Sequence, residues 1–177
     1  MKYLFLVFVS FFSLATAFSQ KTYATKSAQV KFFSHTLADD IEAINNQAES
    51  KLVDKTGQVM FSLLIKGFRF ENELMQEHFN GADYMNSTKF PKGEFKGTIT
   101  NIASVNFTKD GTYNVTANGN LTIKGITKKV AAKGNITITK GKVSTTSIFK
   151  INIKDFGVDG GKEIANQLEI TVTAKYE

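Results

Sequence analysis

The chain has 177 residues, no cysteine and a formal net charge of +6 at pH 7. Without cysteine there is no disulfide framework, so packing alone must hold the fold. Almost all of the positive charge is lysine, and Arg69 is the only arginine. This argues against a nucleic-acid partner, because phosphate and base readers rely on the bidentate arginine fork. The scattered lysines predict a solvated surface, with a weak attraction to anionic lipid surfaces as the alternative.

Residues 1–19 predict a signal peptide that is removed. Lys2 supplies a positive start, an apolar run follows, and the small residues Ala15 and Ala17 suit a signal peptidase. Removal leaves 158 residues (177 minus 19) and, without Lys2, a net charge of +5 (6 minus 1). Residues 20–177 are long enough for a single domain with its own core. The sequence therefore predicts an exported protein, periplasmic or secreted.

The first part of the mature chain predicts strands. AQVKFFS (28–34) alternates, with Val30 and Phe32 inward. Residues 37–46 are predicted to be irregular or to form one helical turn. Strands are expected on both sides of a hairpin turn at residues 55–57, whose sequence is Lys-Thr-Gly.

One short amphipathic helix is predicted near residues 71–81, where apolar residues recur at helical spacing. Its inward side is predicted to consist of Phe70, Leu74, His78, Met75 and Phe79. Gly81 is expected to end the helix. The preceding strand is apolar on both faces at Met60 and Leu64, and the helix is the nearest element to cover its outer face.

After the helix the alternation of apolar and polar residues becomes regular. Phe95 and Ile99 share one strand face, and an Asp-Gly hairpin at 110–111 is predicted between NIASVNFT and TYNVTANGNLTI. Further turns are expected near Gly125 and at residues 140–141. About eight antiparallel strands in meander order result, and they close as an up-and-down barrel or stack as a two-layer sandwich.

Small residues in the inward series favour a hollow barrel. Four of them fall on consecutive strands and are predicted to be neighbours: Ala117, Gly119, Ala132 and Gly134. A filled interior would need bulk at these positions. The alternative is that large side chains opposite fill the space, namely Phe61, Phe95 and Phe149.

Several segments resemble the YceI-like family in the same order and at similar spacing over residues 28–176. They are MQEHFN, YMNSTKFPKGEFKGTI, DGTYNV, GNLTIKGITKKV and FKINIKDFGV. The resemblance implies a lipocalin-like barrel in the bacterial periplasm that binds long isoprenoid or other amphiphilic lipids, and it implies no catalytic activity.

Combining this resemblance with the inward pattern gives a predicted apolar binding site. Its wall is predicted to consist of Phe61, Leu63, Leu74, Met75, Phe79, Tyr84, Phe95, Ile99, Val115, Ala117, Gly119, Leu121, Ala132, Gly134 and Phe149. A polar head group at the mouth would meet Lys89, Lys92, Lys96 and His78. Solvated lysines without a ligand are the alternative reading of that group. No cofactor is expected besides a bound isoprenoid-type lipid.

Sequence signals for catalysis are weak. His35 and His78 are the only histidines, and His78 is predicted to be buried, packing the helix onto the barrel. No catalytic residue or metal ligand is predicted, since no nucleophile elbow, phosphate loop or paired-carboxylate spacing occurs in the sequence. Two functions remain: a lipid carrier, buffer or store, and a non-catalytic envelope accessory module with a filled barrel. Either could be a monomer or a homodimer.

Overall fold

A computed structural model of the protein describes residues 20–36, 40–161 and 164–176. The predicted signal peptide lies outside the described residues. Within them, eight strands form one antiparallel sheet that closes on itself, because β1 pairs with both β2 and β8. The strands are β1 (Thr22–His35), β2 (Asp40–Val53), β3 (Gln58–Leu64), β4 (Lys92–Ile99), β5 (Gly111–Ile123), β6 (Ile126–Thr139), β7 (Lys142–Asn152) and β8 (Gln167–Tyr176). The predicted up-and-down barrel is confirmed, and the sandwich is excluded.

Two tight turns fix the register of the most regular strands. Ile123 pairs with Ile126 around Lys124-Gly125, and Thr139 pairs with Lys142 around Lys140-Gly141. In each turn the lysine has φ near 50° and the glycine has φ of 75°. Positive φ at both central residues is the type I′ turn, whose twist matches that of the flanking strands. Both turns were predicted.

Strand β2 begins much earlier than the sequence predicts. Residues 40–46, predicted to be irregular or helical, belong to the strand, whereas residues 37–39 lie outside the described part. The apolar alternation is hidden here by Asn45, which is buried. Its side-chain nitrogen donates to the Leu64 carbonyl (2.9 Å), and its side-chain oxygen accepts from the backbone N–H of Gln47 (2.9 Å). Because both polar groups of its side chain are hydrogen-bonded, Asn45 can occupy an inward position.

The predicted Asp-Gly hairpin at residues 110–111 is wrong. Strand β4 ends at Ile99, which pairs with Ala117, so residues 100–110 form a long connection that contains the 3₁₀ turn Ile102–Ser104. Asn101 fixes this connection: its side-chain nitrogen donates to the Asn114 carbonyl (2.9 Å), and its oxygen accepts from the backbone N–H of Thr116 (3.1 Å).

The 100–110 connection closes one end of the barrel, here called the closed end. Val105 is buried, and the ring of Phe107 stacks on Tyr23 with centroids 5.5 Å apart. Tyr176 lies edge-on to Tyr23 and shares a hydrogen bond of 2.8 Å with the buried hydroxyl of Ser50. Aromatic and polar packing together therefore seal this end.

The opposite end, here called the mouth end, is covered by two segments, residues 65–91 and the described residues between β7 and β8, 153–161 and 164–166. The first contains the only helix longer than one turn among the described residues, α1 (Glu73–Asn80). Asn72 caps it by accepting from the backbone N–H groups of Leu74 and Met75. The helix and its end at Gly81 confirm the prediction, with a start two residues later. None of the described helices is long and apolar enough to cross a membrane.

Candidate functional site

The barrel contains a cavity of about 220 Å³. It is elongated, since its lining extends from Val59 and Ile99 near the closed end to Phe79 and Tyr84 of the segment that covers the mouth end. Its wall is almost wholly apolar. A buried water needs about two to four polar partners, so this space favours an apolar occupant over water.

Most of the predicted wall residues line this cavity. They are Phe61, Leu63, Phe79, Tyr84, Phe95, Ile99, Val115, Ala117, Leu121, Ala132, Gly134 and Phe149. The three phenylalanines of the filled-barrel alternative, Phe61, Phe95 and Phe149, form part of the wall and leave the space between them open. Whether these side chains contact a ligand stays a prediction.

Leu74, Met75 and Gly119 do not line the cavity. Phe79 sets the rotation of α1, because its ring packs on Phe32 and Phe70 with centroids 5.6 and 5.0 Å apart. Successive residues of a helix turn by about 100°, so Leu74 lies about 140° away from Phe79. Leu74 is accordingly 58 % exposed, and Met75 is half-buried.

The same rotation overturns two further predictions. His78, about 100° from Phe79, is exposed rather than buried. The helix also does not cover the outer face of β3, where Leu64 is 56 % exposed. Instead, α1 lies over the mouth end through an aromatic cluster, which consists of Phe32, Phe68, Phe70 and Phe79.

The small inward residues have two different roles. Ala117 and Ala132 pair directly across β5 and β6 and line the cavity, as predicted. Gly119 instead faces Gly97 of β4, and a Cβ built on it would lie 2.6 Å from the Gly97 Cα. A Cβ on Gly134 would overlap the Thr146 carbonyl oxygen. These glycines allow close strand approach, whereas the alanines leave room.

Strands β6 and β7 separate near the mouth end. Their ladder runs from the Thr139–Lys142 pair to the Lys133–Ile148 pair and stops there, so residues 126–132 of β6 have no partner on β7. The 3₁₀ turn Ile153–Phe156 packs into this gap, with Phe156 only 2 % exposed. The 3₁₀ turn and the residues after it, Val158 and Ile164, therefore line the cavity along this seam.

Part of the wall was missing from the predicted site. Its apolar side chains are Val30, Phe32, Val59, Ile65, Phe68, Met85, Ile123, Ile136, Ile151, Ile153, Phe156, Val158, Ile164, Leu168, Ile170 and Val172. The other lining residues missed are Ser62, Gly93, Glu94, Asn135, Thr145, Thr146 and Ser147. The alternation of β8 carried the signal for Leu168, Ile170 and Val172. Ile153, Phe156 and Val158 lie on a 3₁₀ turn and the residues after it, where no strand or helix period reports which side faces in.

The predicted head-group residues lie in two places. Lys89, Lys92 and His78 are exposed on elements at the mouth end, and the Lys89 ammonium lies 5.4 Å from the ring centroid of Phe90. Lys96 is on the outer face of β4, because its neighbour Phe95 faces the cavity. Its ammonium pairs with the Glu94 carboxylate at 2.8 Å. Lys92 is on the same face of β4 but at the end of the strand, so Lys96 lies further from the mouth end than the other three.

Ionisable groups are sparse around the cavity. In the described ranges no three His, Asp or Glu side chains come together in a way that could hold a metal ion. Burial raises the pKa of Tyr176, although its hydrogen bonds with Ser50 and Thr145 oppose the shift. This group lies at the closed end and contributes to packing there.

A closed eight-stranded barrel with an apolar interior and a helix across one end can be compared with known proteins. The sequence model of the YceI-like domain matches residues 17–176. The chain belongs to the YceI-like family. No curated protein matches the sequence.

Several solved structures have a similar fold at low sequence identity. BcnA of Burkholderia cenocepacia is 17 % identical, with a TM-score of 0.69, over 83 % of this chain and 96 % of that one. A polyisoprenoid binding domain from Saccharophagus degradans, implicated in plant cell wall breakdown, is 9 % identical, with a TM-score of 0.75, over 88 % and 97 %. The YCEI protein of Campylobacter jejuni is 16 % identical, with a TM-score of 0.58, over 100 % and 99 %. At these identities the similarity shows the shared fold.

Proposed function

We propose that this YceI-like protein holds the apolar chain of an isoprenoid or other long amphiphilic lipid in its barrel cavity, as an exported carrier, buffer or store. The observation that carries the proposal is the elongated, almost wholly apolar cavity. The fold shared with a polyisoprenoid binding domain supports it. The signal-peptide pattern of residues 1–19 supports export to the periplasm or beyond.

Burial of the apolar chain is the main source of binding free energy in this proposal. Burying a methylene contributes about 0.8 kcal/mol, so two isoprene units of ten carbons contribute roughly 6–8 kcal/mol before ordering costs. Micromolar affinity corresponds to about 8 kcal/mol. A cavity of about 150 Å³ is enough to hold benzene, and the cavity of about 220 Å³ is larger. Two isoprene units alone fall short of micromolar affinity once ordering costs are subtracted, so we expect the cavity to hold a longer chain.

Two neighbouring alanines on β6 provide a matched test. Ala132 lines the cavity and is buried, whereas Ala131 is exposed on the outer face of the same strand. Ala132→Leu should reduce the affinity for a fluorescent prenyl alcohol by at least about tenfold, because the added carbons occupy the space that the ligand needs. Ala131→Leu should bind like the unaltered protein.

Circular dichroism first establishes that both variants are folded. Titration with the fluorescent prenyl alcohol then compares their affinities. Equal affinity in both would contradict the proposal. If Ala132→Leu does not fold, Ala117→Val adds less volume to the same part of the wall and replaces it. The proposed role involves no catalysis, and the accessory-module alternative would require a barrel without the observed cavity.

A further inference from the structure

Large apolar side chains that are exposed concentrate at one end of the barrel. In the ranges that the structure describes they are Leu64, Leu74, Ile126 and Ile148. The first three lie at the mouth end, on the end of β3, on α1 and at the start of β6. Ile148 is midway along β7. Exposed apolar groups at the covered mouth end of an apolar cavity suggest a surface that meets something other than water.

The tip of the β5–β6 hairpin is held by both covering segments. The Lys124 ammonium donates to the Gly157 carbonyl at 3.1 Å. A Cβ built on Gly157 would lie 3.3 Å from the Ile126 Cδ1, and one built on Gly125 would lie 3.0 Å from the Phe90 ring. These contacts hold the hairpin tip, and with it Ile126, against both covering segments.

Charge separates this tip from the helix side of the mouth end. Around Ile126 the exposed or partly exposed lysines are Lys124, Lys128, Lys129 and Lys154, against the acidic Asp155 and Asp159 on the adjacent turn. Around Leu74 the helix instead carries the exposed carboxylates Glu73 and Glu77. An anionic surface would therefore attract the hairpin tip more strongly than α1, although the exposed Lys89 and Lys92 at the same end of the barrel are also basic.

We propose that the hairpin-tip surface, defined as Phe90, Lys124, Ile126, Lys128, Lys129 and Lys154, docks the protein on an anionic lipid bilayer. The lysines meet the head groups, and Ile126 reaches the boundary between head groups and acyl chains. Docking there brings the seam between β6 and the 3₁₀ turn Ile153–Phe156 against the bilayer. This inference goes beyond the proposed function, because docking requires no ligand in the cavity.

Flotation of the purified protein with vesicles tests the electrostatic part. We expect binding to vesicles of equal phosphatidylglycerol and phosphatidylcholine, none to phosphatidylcholine alone, and release in 1 M NaCl, where the screening length falls to about 3 Å. Lys128, Lys129 and Lys154 changed together to Gln should lower the partition coefficient at least about tenfold, since each lysine near the surface contributes about fivefold.

The matched control removes the same charge from the closed end. Lys109, Lys142 and Lys175 are exposed at or near that end. Changed together to Gln, they should leave the partition coefficient within about twofold of the unaltered protein. Equal losses in the two triple variants, or no binding to phosphatidylglycerol vesicles, would overturn the proposal.

A second experiment tests the contact at Ile126 itself. The natural chain has no cysteine, so Ile126→Cys and Ile148→Cys can each carry a single environment-sensitive fluorophore. Anionic vesicles should shift the emission of the label at position 126 to the blue and leave the label at position 148 unchanged. A shift of equal size at both positions, or only at 148, would contradict docking through the hairpin tip.

Discussion

The ring of Phe95 on β4 lies against the backbone of Gly119 on β5. A Cβ built on Gly119 would approach the Phe95 Cζ to 2.7 Å, closer than real side chains come. Gly119 also pairs with Gly97 in the ladder between the two strands. Two glycines thus let β4 and β5 approach closely while a cavity-lining aromatic ring covers them.

This relationship predicts that Gly119→Ala destabilises the protein by about 1–3 kcal/mol, because the methyl group must displace either the ring or the opposite backbone. The control is Gly93→Ala on β4, where an added Cβ would meet Ile65 and Leu63 at an ordinary 3.5 Å. That variant should be neutral or up to about 1 kcal/mol more stable, through the lower entropy of its unfolded chain. Urea denaturation of both variants provides the comparison, and equal stability would contradict the packing described.

Much of the barrel could be predicted, because apolar and polar residues alternate along a strand that has one buried and one exposed face. The turns at Lys124-Gly125 and Lys140-Gly141 could also be predicted, since glycine readily adopts the positive φ that such hairpins need. The same reasoning misjudged Gly119. Sequence alone does not distinguish a glycine that leaves space from a glycine that allows close contact.

The errors arise where tertiary contacts override local pattern. Asn45 interrupts the apolar alternation of β2, and its hydrogen-bond partner, the Leu64 carbonyl, is distant in sequence. The inward position of Asn45 therefore could not be predicted. The rotation of α1 depends on the contact between Phe79 and Phe32 of β1. The sequence of the helix alone does not predict that contact. The Asp-Gly pair at 110–111 predicted a turn, but Asn101 folds residues 100–110 across the barrel end instead.

The aromatic cluster should hold α1 over the cavity mouth. Phe79→Ala removes contacts with Phe32, Phe68 and Phe70, and we expect it to cost about 2–3 kcal/mol. Leu74→Ala, on the same helix but 58 % exposed, should change stability by less than about 0.5 kcal/mol. Thermal unfolding of the pair measures the difference. A larger loss from Leu74→Ala would mean that the helix packs through its other face.

The buried hydroxyl of Tyr176 predicts sensitivity to alkaline pH. Burial raises the pKa of Tyr176 above its ordinary value of 10.0, with hydrogen bonds to Ser50 and Thr145 acting in the opposite direction. Below about pH 10 the folded and unfolded states both keep the proton. Above that value the unfolded chain loses it first, so the free energy of unfolding should fall as the pH rises towards the folded pKa.

Comparison with Tyr176→Phe separates the effect of Tyr176 ionisation on stability from that of the lysines, which titrate in all variants. Tyr176→Phe should be less stable at neutral pH by about 1–3 kcal/mol, since the buried Ser50 hydroxyl loses its partner. Its stability should also decline less between pH 9 and 11. Tyr113→Phe, whose hydroxyl donates to the Lys109 carbonyl, serves as the control and should keep the decline. Parallel pH profiles for Tyr176→Phe and the unaltered protein would refute this account.

The lysines at the mouth end predict a preference for anionic head groups. Lys89→Gln combined with Lys92→Gln should weaken binding of a fluorescent prenyl phosphate by about two- to tenfold, as expected for exposed ion pairs, and should leave a prenyl alcohol unaffected. Lys96→Gln is the control, because Lys96 pairs with Glu94 on the outer face. If the double variant binds both probes as before, the lysines are solvated and have no head-group role.

The most direct measurement for the central claim is native mass spectrometry of the protein purified from its own host under gentle conditions. A lipid held in the apolar cavity should appear as a discrete added mass, which organic extraction removes and identifies as an isoprenoid or similar long chain. We expect that mass to be absent from the Ala132→Leu variant. A protein that carries no lipid as purified, and takes up none when offered prenyl chains, would contradict the account.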